Sequence, residues 1–133
     1  MSRLDLSGGW FLKPHAEPCP VAGWCILELA RPAATLDALT TEEAQWMGTH
    51  AARVARAIRQ VTGCDRVYLL SFAEVHRQVH LHLVPRHCED PATTGWAVAD
   101  HYRAVQRGDV PAAPGHASER AFAGIAKALE HPG

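Results

Sequence analysis

Three features are missing from this 133-residue sequence, and each absence excludes a class of protein. No apolar run approaches the roughly 20 residues that a helix needs to cross a bilayer, which argues against an integral membrane protein. The formal net charge is only −1, so the chain lacks the basic surplus with which proteins bind nucleic acids or anionic membranes regardless of sequence. The first residues contain no apolar core typical of a secretion signal, and we therefore expect a cytoplasmic protein.

The four cysteines also lack a recognisable pattern. Cys19, Cys25, Cys64 and Cys88 include no Cys-x-x-Cys pair, the spacing typical of many zinc and redox sites. In a reducing compartment we expect them to be free thiols. The sequence has no internal repeat, and its 133 residues, of which 47% are hydrophobic, suffice for one domain with its own core, spanning residues 1–133.

The apolar pattern places one long helix among predicted strands. Thr40 with Glu43 fits a capping box, apolar residues recur at three- and four-residue steps over residues 47–61, and Gly63 fits a helix end. Strands are predicted at residues 10–12, 24–29, 66–72 and 79–84, and shorter helices at 96–106 and 118–130. From about residue 88 the pattern weakens, and this C-terminal part is predicted to be irregular. One central helix on an antiparallel sheet predicts an α+β domain.

Residues 78–86 are the most informative stretch of the sequence. Period-two alternation predicts a strand with a polar and an apolar face, made respectively of Gln78, His80 and His82 and of Val79, Leu81 and Leu83. The apolar face can pack into a core, whereas adjacent imidazoles on the other face have no packing role. The strand therefore indicates a chemical site on a sheet. The alternation extends back to His76, for which we expect a partly exposed place on the strand.

The sequence Gln-Val-His-Leu-His-Leu-Val-Pro-Arg at residues 78–86 resembles the histidine triad (HIT) signature, His-φ-His-φ-His-φ-φ, often followed by Pro-Arg, where φ is apolar. The resemblance covers residues 20 to 87, with segments similar to the strand, turn and helix start of HIT domains at 23–29, 31–32 and 39–43. Gln78 replaces the first histidine. Ala-Glu-Val-His at 73–76 replaces the Gly-Gln-Ser/Thr-Val of many HIT proteins. The resemblance implies a HIT-like antiparallel sheet with one main helix and a C-terminal helix, and a homodimer.

A neutral imidazole can attack phosphorus through one ring nitrogen when the other nitrogen holds the proton. In the HIT family the middle histidine is the nucleophile, and its other nitrogen donates to the backbone carbonyl of the first triad residue. The resemblance therefore implies that His80 is the nucleophile and the Gln78 carbonyl its acceptor, which a side-chain change leaves intact. It also implies that Gln78 and His82 bind the substrate phosphate, with His82 as a protonated imidazole at the α-phosphate or the leaving group. If the imidazole makes the attack, we expect the reaction to need no metal ion or other cofactor.

The resemblance implies a nucleotide-binding enzyme, either a hydrolase or a nucleotidyl transferase, that acts at the α-phosphate through a covalent nucleotidyl-histidine. Nucleoside phosphoramidates and dinucleoside polyphosphates are candidate substrates. Two alternatives stay open. Gln78 and Val75 could have removed turnover, leaving a nucleotide-binding or sensing module. Less favoured is a histidine-based metal-binding protein, because His80 and His82 with His76 could hold a metal ion. Four further histidines are expected on the surface, namely His50, His101, His116 and His131.

Overall fold

The computed structural model describes residues 2–130. Within them lie five strands: β1 (Leu4–Asp5), β2 (Trp10–Pro14), β3 (Cys25–Leu29), β4 (Arg66–Leu70) and β5 (His80–Arg86). The α-helices are α1 (Thr41–Thr62), α2 (Val98–Arg107) and α3 (Gly115–Leu129). The strands form one antiparallel sheet in the order β1-β2-β3-β5-β4. The predicted α+β class, with one main helix and a C-terminal helix, is confirmed.

The main helix, α1, has the ends that the sequence predicts. The Thr40 hydroxyl accepts from the Glu43 N–H at 3.1 Å, and the Glu43 carboxylate accepts from the Thr40 N–H at 2.8 Å, which closes the capping box. At the other end Gly63 adopts φ 71°, a left-handed conformation that glycine reaches without strain. The inner stripe of the helix, including Val54 and Ile58, is buried against the sheet.

His50 on α1 corrects one prediction. This residue is only 1% exposed, and its Nε2 atom lies 2.7 Å from the carbonyl oxygen of Ser7. The surface position predicted for it is wrong, because the first half of α1 packs on the short 3₁₀ turn at Ser7–Gly9. His116 is exposed and His101 partly buried, while His131 lies outside the described residues.

The two faces of the sheet carry different side chains, apolar ones on one face and the two imidazoles on the other. One face packs under α1 and α3 and forms the main core, with Leu12, Leu27, Leu81, Leu83 and Phe122 among its members. On the other face, the register sets His80 opposite Glu28 and His82 opposite Ile26 of β3. Both imidazoles therefore stand on one face, as the alternation predicts. The strand begins only at His80, so His76 lies in the preceding loop and not on the strand.

The C-terminal part, where the apolar pattern weakens from about residue 88, contains both helices that the sequence predicts, α2 and α3. α2 begins two residues after the predicted start, and α3 begins at Gly115, three residues before it. α2 is ordered by packing: Val98 and Tyr102 belong to a second apolar cluster, with Cys19, Trp24 and Val84, on the imidazole face. None of the helices in residues 2–130 is long and apolar enough to cross a membrane.

Candidate active site

His80 is held in one tautomer by the backbone. Its Nδ1 atom lies 2.6 Å from the carbonyl oxygen of Gln78, and the residue is 6% exposed. A carbonyl oxygen only accepts hydrogen bonds, so Nδ1 carries the proton and Nε2 keeps its lone pair. Nε2 has no hydrogen-bond partner in the part of the chain that the structure describes. The free lone pair is the feature that a nucleophilic imidazole requires.

His82 is held in the opposite tautomer by a side chain. The indole N–H of Trp24 donates to Nδ1 of His82 at 2.9 Å. An indole nitrogen only donates, so Nδ1 of His82 must accept, and in the neutral ring the proton sits on Nε2. Burial, reinforced by repulsion from His80, His15 and Lys13, lowers the pKa of His82 to about 4. His82 is therefore neutral at physiological pH in the ligand-free protein, unlike the protonated imidazole that the sequence suggested.

Trp24 owes its position to the turn that precedes β3. Gly23 has φ 94°, and the Trp24 N–H closes the turn by donating to the Val21 carbonyl at 3.1 Å. A Cβ atom at residue 23 would lie 2.6 Å from the Thr62 side chain, so both conformation and space require glycine. The turn places Trp24 on the same face as Ile26, next to His82.

An aromatic cluster covers the end of the site that holds His82. The ring of His15 lies 5.1 Å from Trp24, 6.1 Å from His82 and 5.4 Å from Tyr102 of α2. The Nδ1 atom of His15 contacts the Ala16 carbonyl at 2.7 Å, and burial lowers the pKa of His15. Tyr102 in turn lies 5.7 Å from Trp24. The segment after residue 96 therefore covers part of the imidazole face.

Charged residues occupy the other end, beside His80. Glu28, opposite His80 on β3, is only 8% exposed. Its Oε1 atom lies 3.1 Å from Nζ of Lys13 and 3.3 Å from Nε2 of His76. The ring of His76 lies 5.1 Å from that of His80. A buried carboxylate near a phosphate site is unfavourable when unpaired, and here the Lys13 ammonium offsets its charge while the His76 ring gives it a second hydrogen-bond partner.

The side chain of Gln78 points to the loop after β3. Its amide nitrogen donates to the carbonyls of Leu29 and Arg31 at 2.8 and 2.7 Å, and its amide oxygen accepts from the Ala33 N–H at 3.0 Å. Both amide protons are thus engaged by the backbone. The predicted phosphate role of this side chain stays a prediction, but its hydrogen bonds give it a structural task, holding the loop against the start of β5.

The structure brings His80 and His82 together, with ring centroids 5.3 Å apart, and adds neighbours that the sequence did not single out. Trp24 lies just before β3 and His15 just after β2, and Glu28 on β3 was not singled out either. Alternation along β2 and β3 could have placed these residues on the imidazole face, but their contacts depend on strand register. Among residues 2–130, no group of three or more His, Cys, Asp or Glu side chains is arranged to hold a metal ion.

Solved structures share this arrangement of sheet and helices. A Hit-like protein of Bartonella henselae superposes with a TM-score of 0.65 at 15% identity, covering 96% of this chain and 86% of that one. A histidine triad protein of Bradyrhizobium japonicum gives 0.64 at 24% identity, with coverages of 95% and 84%. The protein has the histidine triad fold. A zinc-bound histidine triad family protein of Mycobacterium smegmatis gives 0.69 at 16% identity, with coverages of 96% and 83%.

The HIT-like fold predicted from residues 78–86 is thus confirmed. No protein-family model and no curated protein matches the sequence, so the similarity is one of structure. The zinc belongs to the mycobacterial protein. The described part of the present HIT-like chain offers no three-ligand group for it.

Proposed function

We propose that this HIT-like protein is a nucleotide-binding hydrolase or nucleotidyl transferase that acts at the α-phosphate of a nucleotide. The observation that carries the proposal is the 2.6 Å hydrogen bond between Nδ1 of His80 and the Gln78 carbonyl. It prepares Nε2 for attack on phosphorus, and the side chain at position 78 does not enter into it. The replacement of the first triad histidine is therefore compatible with activity.

In the proposed reaction, the lone pair of His80 Nε2 forms a bond to the α-phosphorus while the bond to the leaving group breaks. The intermediate is a covalent nucleotidyl-histidine, which water or another acceptor then cleaves. His82 donates its Nε2–H to a phosphoryl oxygen or to the leaving atom as negative charge develops there. The two histidines thus have complementary roles, one as nucleophile and one as hydrogen-bond donor.

The test compares the wild type with His80→Asn, which is close in size to histidine but cannot form a phosphorus–imidazole bond. The substrates are a nucleoside phosphoramidate, a dinucleoside polyphosphate and an adenylylated carboxylate. We expect the wild type to release nucleoside monophosphate and the variant to be slower by about a thousandfold or more. Nucleotide binding by both proteins without turnover by either would instead favour the alternative of a binding or sensing module.

We also propose a homodimer joined at β4. This strand is an edge of the sheet, so one side of its backbone lacks a strand partner. Leu69 on β4 is 52% exposed, and Phe72 just after it is 69% exposed. Exposed apolar residues on a free edge favour pairing with a second copy. Light scattering at several protein concentrations would test this, and a monomer mass throughout would contradict it.

A further inference from the structure

We propose that this protein selects nucleotides whose leaving group departs as an anion, a phosphate or a carboxylate, and discriminates against amine leaving groups. The inference rests on the proposed function, because it presupposes attack by His80 on the α-phosphorus. It narrows the substrate class by asking which leaving groups the site can release.

The first step of the argument is the contact between Trp24 and His82. The indole N–H points at Nδ1 of His82 across 2.9 Å. A second proton on His82 would sit on Nδ1 and face that N–H, so two donors would meet with no acceptor between them. Trp24 is 4% exposed and packs against His15 and Tyr102, so it cannot turn aside without disrupting the cluster. His82 is therefore fixed as a neutral ring.

The second step is the fate of the electrons when the bond to phosphorus breaks. The bonding pair goes to the leaving atom. A phosphate or carboxylate oxygen carries it as negative charge near neutral pH, whereas an amine nitrogen requires a proton as the bond breaks. A neutral His82 can stabilise the developing charge through its Nε2–H. It cannot release that proton without becoming an imidazolate anion, so it is no general acid for an amine.

The third step concerns the other groups near the two histidines. Nδ1 of His15 is engaged by the Ala16 carbonyl, and its ring is buried in the aromatic cluster. Lys13 binds Glu28 at 3.1 Å beside His80. The remaining imidazole is that of His76, which binds Glu28 from the loop before β5. His76 is thus the group whose contribution as an acid has to be excluded by experiment.

The experiment measures kcat/KM on three substrates with the same adenosine monophosphate moiety: an alkyl phosphoramidate, diadenosine triphosphate and an adenylylated carboxylate. General acids contribute about a hundredfold or more, so we expect the amine substrate to be at least about a hundredfold poorer than the other two. Trp24→Phe removes the indole N–H and keeps an aromatic ring. We expect Trp24→Phe to raise kcat/KM on the amine substrate, so that the difference in kcat/KM between this substrate and the other two shrinks about tenfold. The matched control is Trp96→Phe, since Trp96 is 97% exposed.

Equal kcat/KM on all three substrates would overturn the inference, and so would a gap that Trp24→Phe leaves unchanged. Efficient amine release that His76→Asn abolishes would place a general acid at His76 and overturn it as well. Independently of activity, ¹⁵N chemical shifts should show His82 with its proton on Nε2 from pH 5.5 to 8. An imidazolium signal for His82 near neutral pH would contradict the inference, even if Trp24→Phe failed to fold.

These outcomes are separate from failure of the proposed function. If no substrate is turned over, or if turnover is indifferent to His80→Asn, the proposed function fails and the inference with it. Turnover that depends on His80 but ignores the leaving group refutes the inference alone.

Discussion

His80 and His82 lie two residues apart on one strand, yet the two ends of the site hold them by different means. At the charged end, a backbone carbonyl binds His80, and Glu28 with its two partners lies alongside. At the aromatic end, the indole N–H of Trp24 donates a hydrogen bond to His82 inside an aromatic cluster. A backbone acceptor persists whatever the side chain at position 78, whereas an indole donor exists only because residue 24 is tryptophan. Tautomer control is therefore tolerant of substitution at one end and dependent on a single side chain at the other.

The first experiment tests whether the charged end depends on the backbone of Gln78 alone. Gln78→Ala removes three hydrogen bonds to the loop after β3 and leaves the carbonyl that binds His80. We expect the free energy of unfolding to fall by about 1–3 kcal/mol, with kcat nearly unchanged. Urea denaturation and steady-state kinetics measure the two quantities. Gln60→Ala on the exposed side of α1 is the control, and a large drop in kcat for Gln78→Ala would mean that its side chain acts in catalysis.

A second experiment sharpens the role of the charged residues beside His80. We expect His76→Asn to weaken binding of adenosine monophosphate about tenfold, through loss of a hydrogen-bond donor near the phosphate. Glu28→Gln should weaken it in the same direction. The loss of binding free energy in the double variant should be smaller than the sum of the two single losses, because Glu28 holds His76 in place. Calorimetric titration gives the affinities. His116→Asn, on the exposed surface of α3, should bind adenosine monophosphate like the wild type. Fully additive losses of binding free energy would mean that Glu28 does not act through His76.

The last experiment concerns the pH dependence of stability at the aromatic end. Burial, then repulsion from His80, His15 and Lys13, lowers the pKa of His82 from 6.5 to about 4. Between these values the unfolded chain binds a proton that the folded protein does not, so stability falls as the pH drops through this window. His82→Gln removes this contribution and should flatten the dependence measured by urea denaturation from pH 7.5 to 4.5. His116→Gln should leave it unaltered. Equally steep curves for His82→Gln and the wild type would contradict the assignment.

Much of the fold follows from local signals. The capping box at Thr40 and the glycine at 63 predict both ends of α1, since these interactions are made within a few residues. Alternation along residues 79–84 predicts which side of β5 packs into the main core under α1 and α3. The prediction for His50 failed because its burial depends on a distant contact, with the turn at Ser7–Gly9.

In the candidate site, too, contacts between residues close in sequence were predictable and contacts between distant residues were not. The acceptor for His80 lies two residues away along the chain, so it was predictable from the resemblance at residues 78–86. The donor for His82 lies 58 residues away, and nothing near His82 in the sequence indicates it. For the same reason the sequence suggested a protonated His82, because the residue that keeps the ring neutral, Trp24, is distant along the chain.

By itself, the sequence determined that this is an α+β domain with two imidazoles on one face of a strand, because periodicity and capping act over a few residues. Only the tertiary structure decided the charge state of His82, the pairing of Glu28 and the inward turn of the Gln78 amide. Each of these depends on strand register, on burial or on a partner from another element. Proton affinity and hydrogen bonding respond to such surroundings in space, whatever their distance along the chain.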